Sequence, residues 1–174
     1  IQNVPSSSLK EASKTKYVAI ARLARAWDYY MLVRMYGDVE WIDYVITDPE
    51  DEKIWGERDN RDVVMDKVLE DLDYAIENLG ASSDKTLWSK NMALAMKSDI
   101  CLYEGTFRKY HGLEGGDEFL QACADASEKF ITSSPYDIYN TGSSPYRDLF
   151  SAKNATSTSK EVILARDYDK GQSI

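Results

Sequence analysis

Apolar positions along the first third of the chain recur in the alternating three-and-four step of an α-helix. The spacing predicts a helix over residues 8–36. One stripe is Tyr17, Ile20, Ala24, Trp27, Met31 and Met35, and a second is Ala19, Leu23, Ala26, Tyr30 and Val33. Two apolar stripes imply a helix covered on more than one side. Ser6, Ser7 and Ser8 follow Pro5 as N-cap candidates, and Glu11 stands three residues past Ser8 as in a capping box. Arg22, Arg25, Asp28 and Arg34 interrupt the apolar surface and suit ion pairs with neighbouring helices. Gly37 fits the position after the helix, where a left-handed backbone is common.

Three further helices follow from the same pattern. Residues 60–79 place Val64, Val68, Leu72, Ala75 and Leu79 on one face, with Asp62, Asp66, Glu70, Asp73 and Glu77 on an acidic outer face. Gly80 stops this helix, and a polar loop follows. Residues 89–107 turn Ala93, Met96, Ile100, Tyr103 and Phe107 inward, with Trp88 as a hydrophobic staple at the start. Residues 117–132 do the same with Phe119, Cys123, Ala126 and Phe130. Ala95, Ala122, Ala124 and Ala126 are small enough to let helices approach closely. Between the first and second helices, residues 38–58 form a long connection. Trp41, Ile42, Tyr44, Val45 and Ile46 make a short extended stretch there, and Glu50, Asp51 and Glu52 make a solvated turn.

Beyond Pro135 the pattern becomes irregular. Tyr136, Tyr139, Tyr146, Leu149 and Phe150 are spaced like anchors that pin a loop to a helical surface. Residues 154–160 are small and polar, which predicts mobility, and Glu161 to Ala165 reads as a short strand without a partner. The predicted fold is therefore mainly all-α. It consists of TPR-like helical hairpins with long irregular loops and a short C-terminal strand, packed as two antiparallel pairs. A clean 34-residue TPR period is absent, because the connection after Gly37 is long.

Composition narrows the chemistry. The chain has 174 residues, 43% of them hydrophobic and 29% charged, which suits one folded domain or a piece of a larger one. Its net charge of -9 repels phosphate backbones, so nucleic acid is a poor partner. One histidine, His111, excludes a two-His zinc motif, and it is read as a structural residue of a glycine-rich turn. Cys101 and Cys123 form no CxxC pair. They sit at matching heights of a predicted antiparallel hairpin, yet helix axes pack about 8–10 Å apart and a disulfide wants Cα atoms within about 7 Å. Buried free thiols are the expectation. No catalytic residue, metal site or cofactor is assigned. The chain opens on Ile1 rather than Met, which reads as a segment of something longer.

Aromatic residues are the notable excess, with 12 Tyr and 4 Trp. Such rings fill cores and also lie flat on the apolar faces of sugars. Trp27 falls on the core stripe. Trp41, Tyr44 and Trp55 lie in the long connection and are the candidate ligand-binding residues. For Trp41 and Tyr44 the competing reading is that they pin the loop to the core. Trp55 has polar neighbours in Gly56, Glu57, Arg58 and Asp59, and is the first choice for a ligand contact.

Four segments together resemble the SusD/RagB-like family of nutrient-binding lipoproteins. They are ARAWDYYMLVRMYGDVEWI (24–42), RDNRDVVMDKVLEDLDYAIENL (58–79), ALAMKSDICLYEGTFRKYHG (93–112) and YRDLFSAKNATSTSKEVILARDYD (146–169). Their order and approximate spacing match the family's pattern, and the third is the most specific. Glu40 stands where the family usually has Pro, and Ser98 and Asp99 also depart from it. The resemblance implies that residues 1–174 are the single TPR-like helical segment of a larger SusD-like protein. It implies a non-catalytic, glycan-capturing component of nutrient uptake in Bacteroidetes. The partners it implies are an oligosaccharide or other nutrient and a SusC-like TonB-dependent transporter. The implied place is the outward-facing surface of the outer membrane, with the membrane reached only through a lipid anchor outside this segment. Periodicity alone supports the alternative of a generic TPR-like protein-interaction scaffold. An α-helical glycoside hydrolase with two carboxylates is a third class.

Overall fold

The computed structural model describes residues 1–151 and 159–166. Four long helices carry it. They are α1 (Glu11–Tyr36), α3 (Arg61–Asn78), α4 (Lys90–His111) and α5 (Gly116–Ser133), and the short α2 (Glu52–Trp55) and α6 (Pro145–Leu149) lie in the connections. Among the described residues there is no strand, so the predicted strand at Glu161 to Ala165 is corrected. That segment is held by isolated bonds instead of a ladder. The Ala165 amide donates to the Lys85 carbonyl at 2.8 Å, and the Asp137 amide donates to the Lys160 carbonyl at 3.1 Å. The expectation of mobility for residues 154–160 lies almost wholly outside the described residues.

The helix ends follow local chemistry. α1 begins at Glu11, three residues later than the serines suggest, and its N-cap Lys10 makes no side-chain cap bond. Ser6 and Ser7 instead bond back to the carbonyls of Asn3 and Val4 in turns before the helix. Gly37 ends α1 with φ of 73° and its amide donates to the Val33 carbonyl. α3 is capped by Asn60, whose side chain accepts from the Asp62 amide at 2.8 Å. α4 runs four residues past its predicted end, because Gly112 in the left-handed conformation, and no earlier residue, stops it.

Successive long helices pack antiparallel. Asp71 of α3 is 2% exposed and accepts from Arg25 of α1 at 2.7 and 2.9 Å, with Arg22 at 3.6 Å. These are interhelical pairs of the kind the arginine positions suggest. The core draws on Ala19, Leu23, Ala26, Tyr30 and Val33 of α1 and on Val64, Val68, Leu72, Ala75 and Leu79 along α3. This α1 stripe is buried, while of the other stripe Ile20 and Met31 are only partly buried against the core. Tyr17, Trp27 and Met35 of the other stripe stand 52%, 40% and 60% exposed, so the assignment of Trp27 to the core is corrected.

α4 also departs from its predicted face. Ala93 and Ile100 are buried as predicted, but the buried face also takes in Leu94, Cys101, Glu104 and Arg108, while Met96 and Tyr103 are only partly buried. The face is wider than the apolar pattern because charge occupies core positions. Glu104, 0% exposed, accepts from Arg61 at 2.5 and 3.2 Å and from Arg108 at 2.8 Å. The Arg61 guanidinium lies 3.8 Å from the Phe107 ring centre. Next to Glu104, Gly105 lets α5 come close. A Cβ there would stand 2.8 Å from Leu120 Cγ and 2.9 Å from the Gly116 carbonyl oxygen. Gly105 and Gly116 thus let α4 and α5 approach closely here.

Cys101 is buried, Cys123 is half-buried, and both are free. Burial pushes the Cys101 thiol up to about 12. His111 is the last residue of α4 and stacks on Phe107 at 4.0 Å. Tyr136 stacks on Phe130 at 5.9 Å, as an anchor would. Tyr146 and Phe150 are 81% and 73% exposed and pack mainly on each other, which corrects their reading as anchors.

Candidate functional site

The connection between α1 and α3 has a fixed base and an exposed tip. At the base, the Asp38 carboxylate accepts from the Arg61 amide at 2.9 Å, and Val39 bridges Asp59 in antiparallel sense. The Asp59 carboxylate accepts from the Trp41 amide at 2.7 Å, which holds its pKa below the usual carboxylate value. The Trp41 ring lies 4.2 Å from Tyr29, with the Arg25 guanidinium 4.6 Å from its centre. The Tyr29 hydroxyl in turn accepts from the Ile42 amide at 2.7 Å. Trp41 is 6% exposed and offers no free ring face to a ligand. It is the loop's anchor, which corrects its place among the ligand candidates.

The tip is organised by Asp51. Its side chain accepts from the Lys53 amide at 2.9 Å, capping the single turn of α2, and from the Tyr44 hydroxyl at 2.6 Å. The bond raises the Tyr44 pKa to about 12, and it lowers that of Asp51 with help from the Lys53 amide. Trp55 ends α2. Its indole N–H donates to the Pro49 carbonyl at 2.9 Å, while the residue stays 76% exposed. The ring is thus oriented by its own loop and open to solvent. Gly56 follows, where a Cβ would meet the Glu52 carbonyl at 2.9 Å and Glu40 Oε1 at 3.0 Å.

The structure therefore separates the three candidates. Tyr44 and Trp55 share the tip, joined through the 48–55 turn, and Trp41 belongs to the core. Pro49 and Asp51, which hold these rings, carried no signal beyond the polar turn around them. A hollow of about 650 Å³ lies between the end of α5 and residues 160–163, with Phe130, Ile131, Tyr136, Ile138 and Ile163 on its walls. The sequence reading missed it, since it forms only when distant segments meet. Among the described residues, no group of three or more His, Cys, Asp or Glu is placed to hold a metal ion, and no helix is long and apolar enough to cross a membrane.

Comparison with known proteins identifies the architecture. The family model SusD-like_2, described as starch-binding associating with outer membrane, matches residues 1–113, more than half of the chain. The chain belongs to the SusD-like_2 family. A SusD-like protein of Bacteroides ovatus is 27% identical over 170 residues, which are 97% of this chain and 29% of that protein. A solved SusD-like protein of Bacteroides fragilis superposes with a TM-score of 0.75 at 23% identity, over 98% of this chain and 31% of that one. A structure solved with a xylogluco-oligosaccharide superposes with a TM-score of 0.70 at 26% identity, over 94% of this chain and 31% of that one. The chain thus spans less than a third of the length of these SusD-like relatives. The family's helical, TPR-type architecture is the one the four long helices show.

Proposed function

We propose that this chain is the helical part of a non-catalytic, glycan-capturing SusD-like protein, in which the tip of the α1–α3 connection presents Trp55 and Tyr44 to an oligosaccharide. The observation that carries this reading is the exposed, hydrogen-bonded Trp55 on a braced loop, in a chain of a family described as starch-binding. A ring oriented before the ligand arrives loses little conformational freedom on binding, so more of the stacking energy remains for affinity. Support for a glycan comes also from the relative solved with a xylogluco-oligosaccharide. The protein works at the outward-facing surface of the outer membrane, lipid-anchored, and delivers its ligand to a SusC-like TonB-dependent transporter. The full-length protein on a glycan array, beside Trp55→Ala, tests the capture. Co-purification from outer membranes tests the transporter. Retention of no glycan would refute the first part, and a SusD-like protein that purifies without any transporter would refute the second.

A second reading is a protein-interaction scaffold. It is favoured by the α1 row of Tyr17, Trp27 and Met35, which stands exposed beside the buried stripe. Charge substitution at Tyr17 and Met35 that abolishes co-purification while leaving glycan retention intact would assign that row to the protein partner.

A further inference from the structure

The charge around Trp55 bears on which glycans this tip can take. Residues 38–59 hold nine of the chain's 30 carboxylates, against only Lys53 and Arg58 as cations. The net charge of -9 is therefore concentrated in this one connection. The structure gathers five of these carboxylates, from Glu40, Glu50, Asp51, Glu52 and Glu57, around an open hollow of about 590 Å³ beside α2. Lys53 also lines it, but its ammonium is already committed to Asp59 at 3.4 Å and Glu40 at 3.8 Å. Trp55 does not line the hollow. It follows Lys53 by two residues in the same turn and precedes Gly56, which does line it. The indole N–H donates to the Pro49 carbonyl, next to Glu50, and Glu52 and Glu57 stand three residues before and two after Trp55. A sugar stacked on the ring would thus share this short turn with three of the carboxylates. Charges there act on one another over a screening length of about 8 Å at physiological ionic strength.

We infer that the Trp55 tip selects uncharged glycans and rejects those bearing carboxylate or sulfate groups. The inference rests on the glycan-capturing reading above and adds the charge class of the ligand. The carboxylates are not themselves the binding site. They set a negative local potential at a ring that would otherwise stack on any pyranose with an apolar face. An anionic residue on the ring would meet an excess of like charge in this connection, nine carboxylates against Lys53 and Arg58, with Lys53 already engaged by Asp59 and Glu40.

The test uses the full-length protein in two assays. In the first, wild type and Trp55→Ala are compared on an array that carries neutral, uronic-acid and sulfated oligosaccharides. The expected result is that every glycan whose retention falls roughly tenfold or more in Trp55→Ala is uncharged. An anionic glycan retained through Trp55 overturns the charge inference and leaves glycan capture standing. Retention unaffected by Trp55→Ala overturns the role of Trp55, and this inference with it. The second assay needs no glycan. The Trp55 fluorescence, taken as wild type minus Trp55→Phe, is quenched with iodide and with caesium, each scaled to its quenching of free N-acetyltryptophanamide. Caesium should quench at least about twofold more strongly at low salt, since the local potential enriches cations and depletes anions. In Glu50→Gln/Glu52→Gln/Glu57→Gln the two should converge. Equal quenching of wild type by both ions, or stronger quenching by iodide, shows no negative potential at the ring and overturns the inference.

Discussion

Replacing Glu104 by Ala removes the acceptor that two arginines share inside the helical stack. Glu104 is 0% exposed, and Arg61 and Arg108 are 8% and 5% exposed. Their guanidinium groups reach Glu104 at 2.5 and 2.8 Å. Without the carboxylate, two cations stay in low dielectric with only part of their charge met. The nearest other carboxylate to Arg108 is Asp62 at 3.3 Å, itself half exposed. Removing one partner of a buried ion pair costs about 3–5 kcal/mol. For a chain of this size that corresponds to a fall in Tm of roughly 6–20 °C. Urea unfolding followed by far-ultraviolet circular dichroism reads the loss directly. Replacing all three residues at once, as Arg61→Met/Glu104→Leu/Arg108→Met, should instead be neutral or even stabilising by up to about 4 kcal/mol. A loss below about 1 kcal/mol for Glu104→Ala, or a triple variant weaker than the single one, would refute the account of this cluster.

Gly105→Ala should cost about 1–3 kcal/mol in the same urea assay, because its Cβ would press on Leu120 and the Gly116 carbonyl; an unchanged midpoint would show that α5 can simply shift. Cys101, with its thiol raised to about 12 by burial, should resist a thiol reagent in the folded protein at pH 8 and react on unfolding, whereas half-buried Cys123 reacts first. Equal rates for the two would contradict the packing of α4. Asp51 and Asp59 are held below the usual carboxylate pKa by the hydrogen bonds they accept, so their contribution is fully present above about pH 4 and is lost as pH falls through their lower folded values. Tryptophan emission should therefore be constant from pH 7 to about pH 5 and shift as the loop base loosens below about pH 4, and a shift already complete at pH 5 would contradict this reading.

The apolar part of the buried face of α3 was legible from the sequence, because Val64, Val68, Leu72, Ala75 and Leu79 keep one helical period, whereas Arg61 and Asp71 are buried there only through their partners on α4 and α1. α4 was less legible. An apolar pattern cannot assign Glu104 and Arg108 to the interior, since their burial depends on Arg61, 43 residues earlier in the chain. That cluster also gives a physical reading of the segment 103–106, whose Glu104 gathers the arginines and whose Gly105 admits α5. For α1, both stripes were visible, yet nothing in their composition told which would be covered. The apolar run at 161–165 has strand character, but strands need a paired edge, and this one meets the chain only through single bonds. Trp41 and Trp55 look alike as loop aromatics. They part only when Tyr29 and Asp59 draw the first inward and Pro49 holds the second at the surface.

The central claim is that Trp55 is a ligand-facing ring and not a structural one. Calorimetric titration of the full-length protein and of Trp55→Ala with malto- and xylogluco-oligosaccharides tests it most directly, run beside thermal unfolding of both. The account predicts that the variant loses roughly 1–3 kcal/mol of binding free energy, by analogy with aromatic stacking on bases, while its Tm stays within about 2 °C of wild type. Unchanged affinity, or a large fall in Tm, would contradict it.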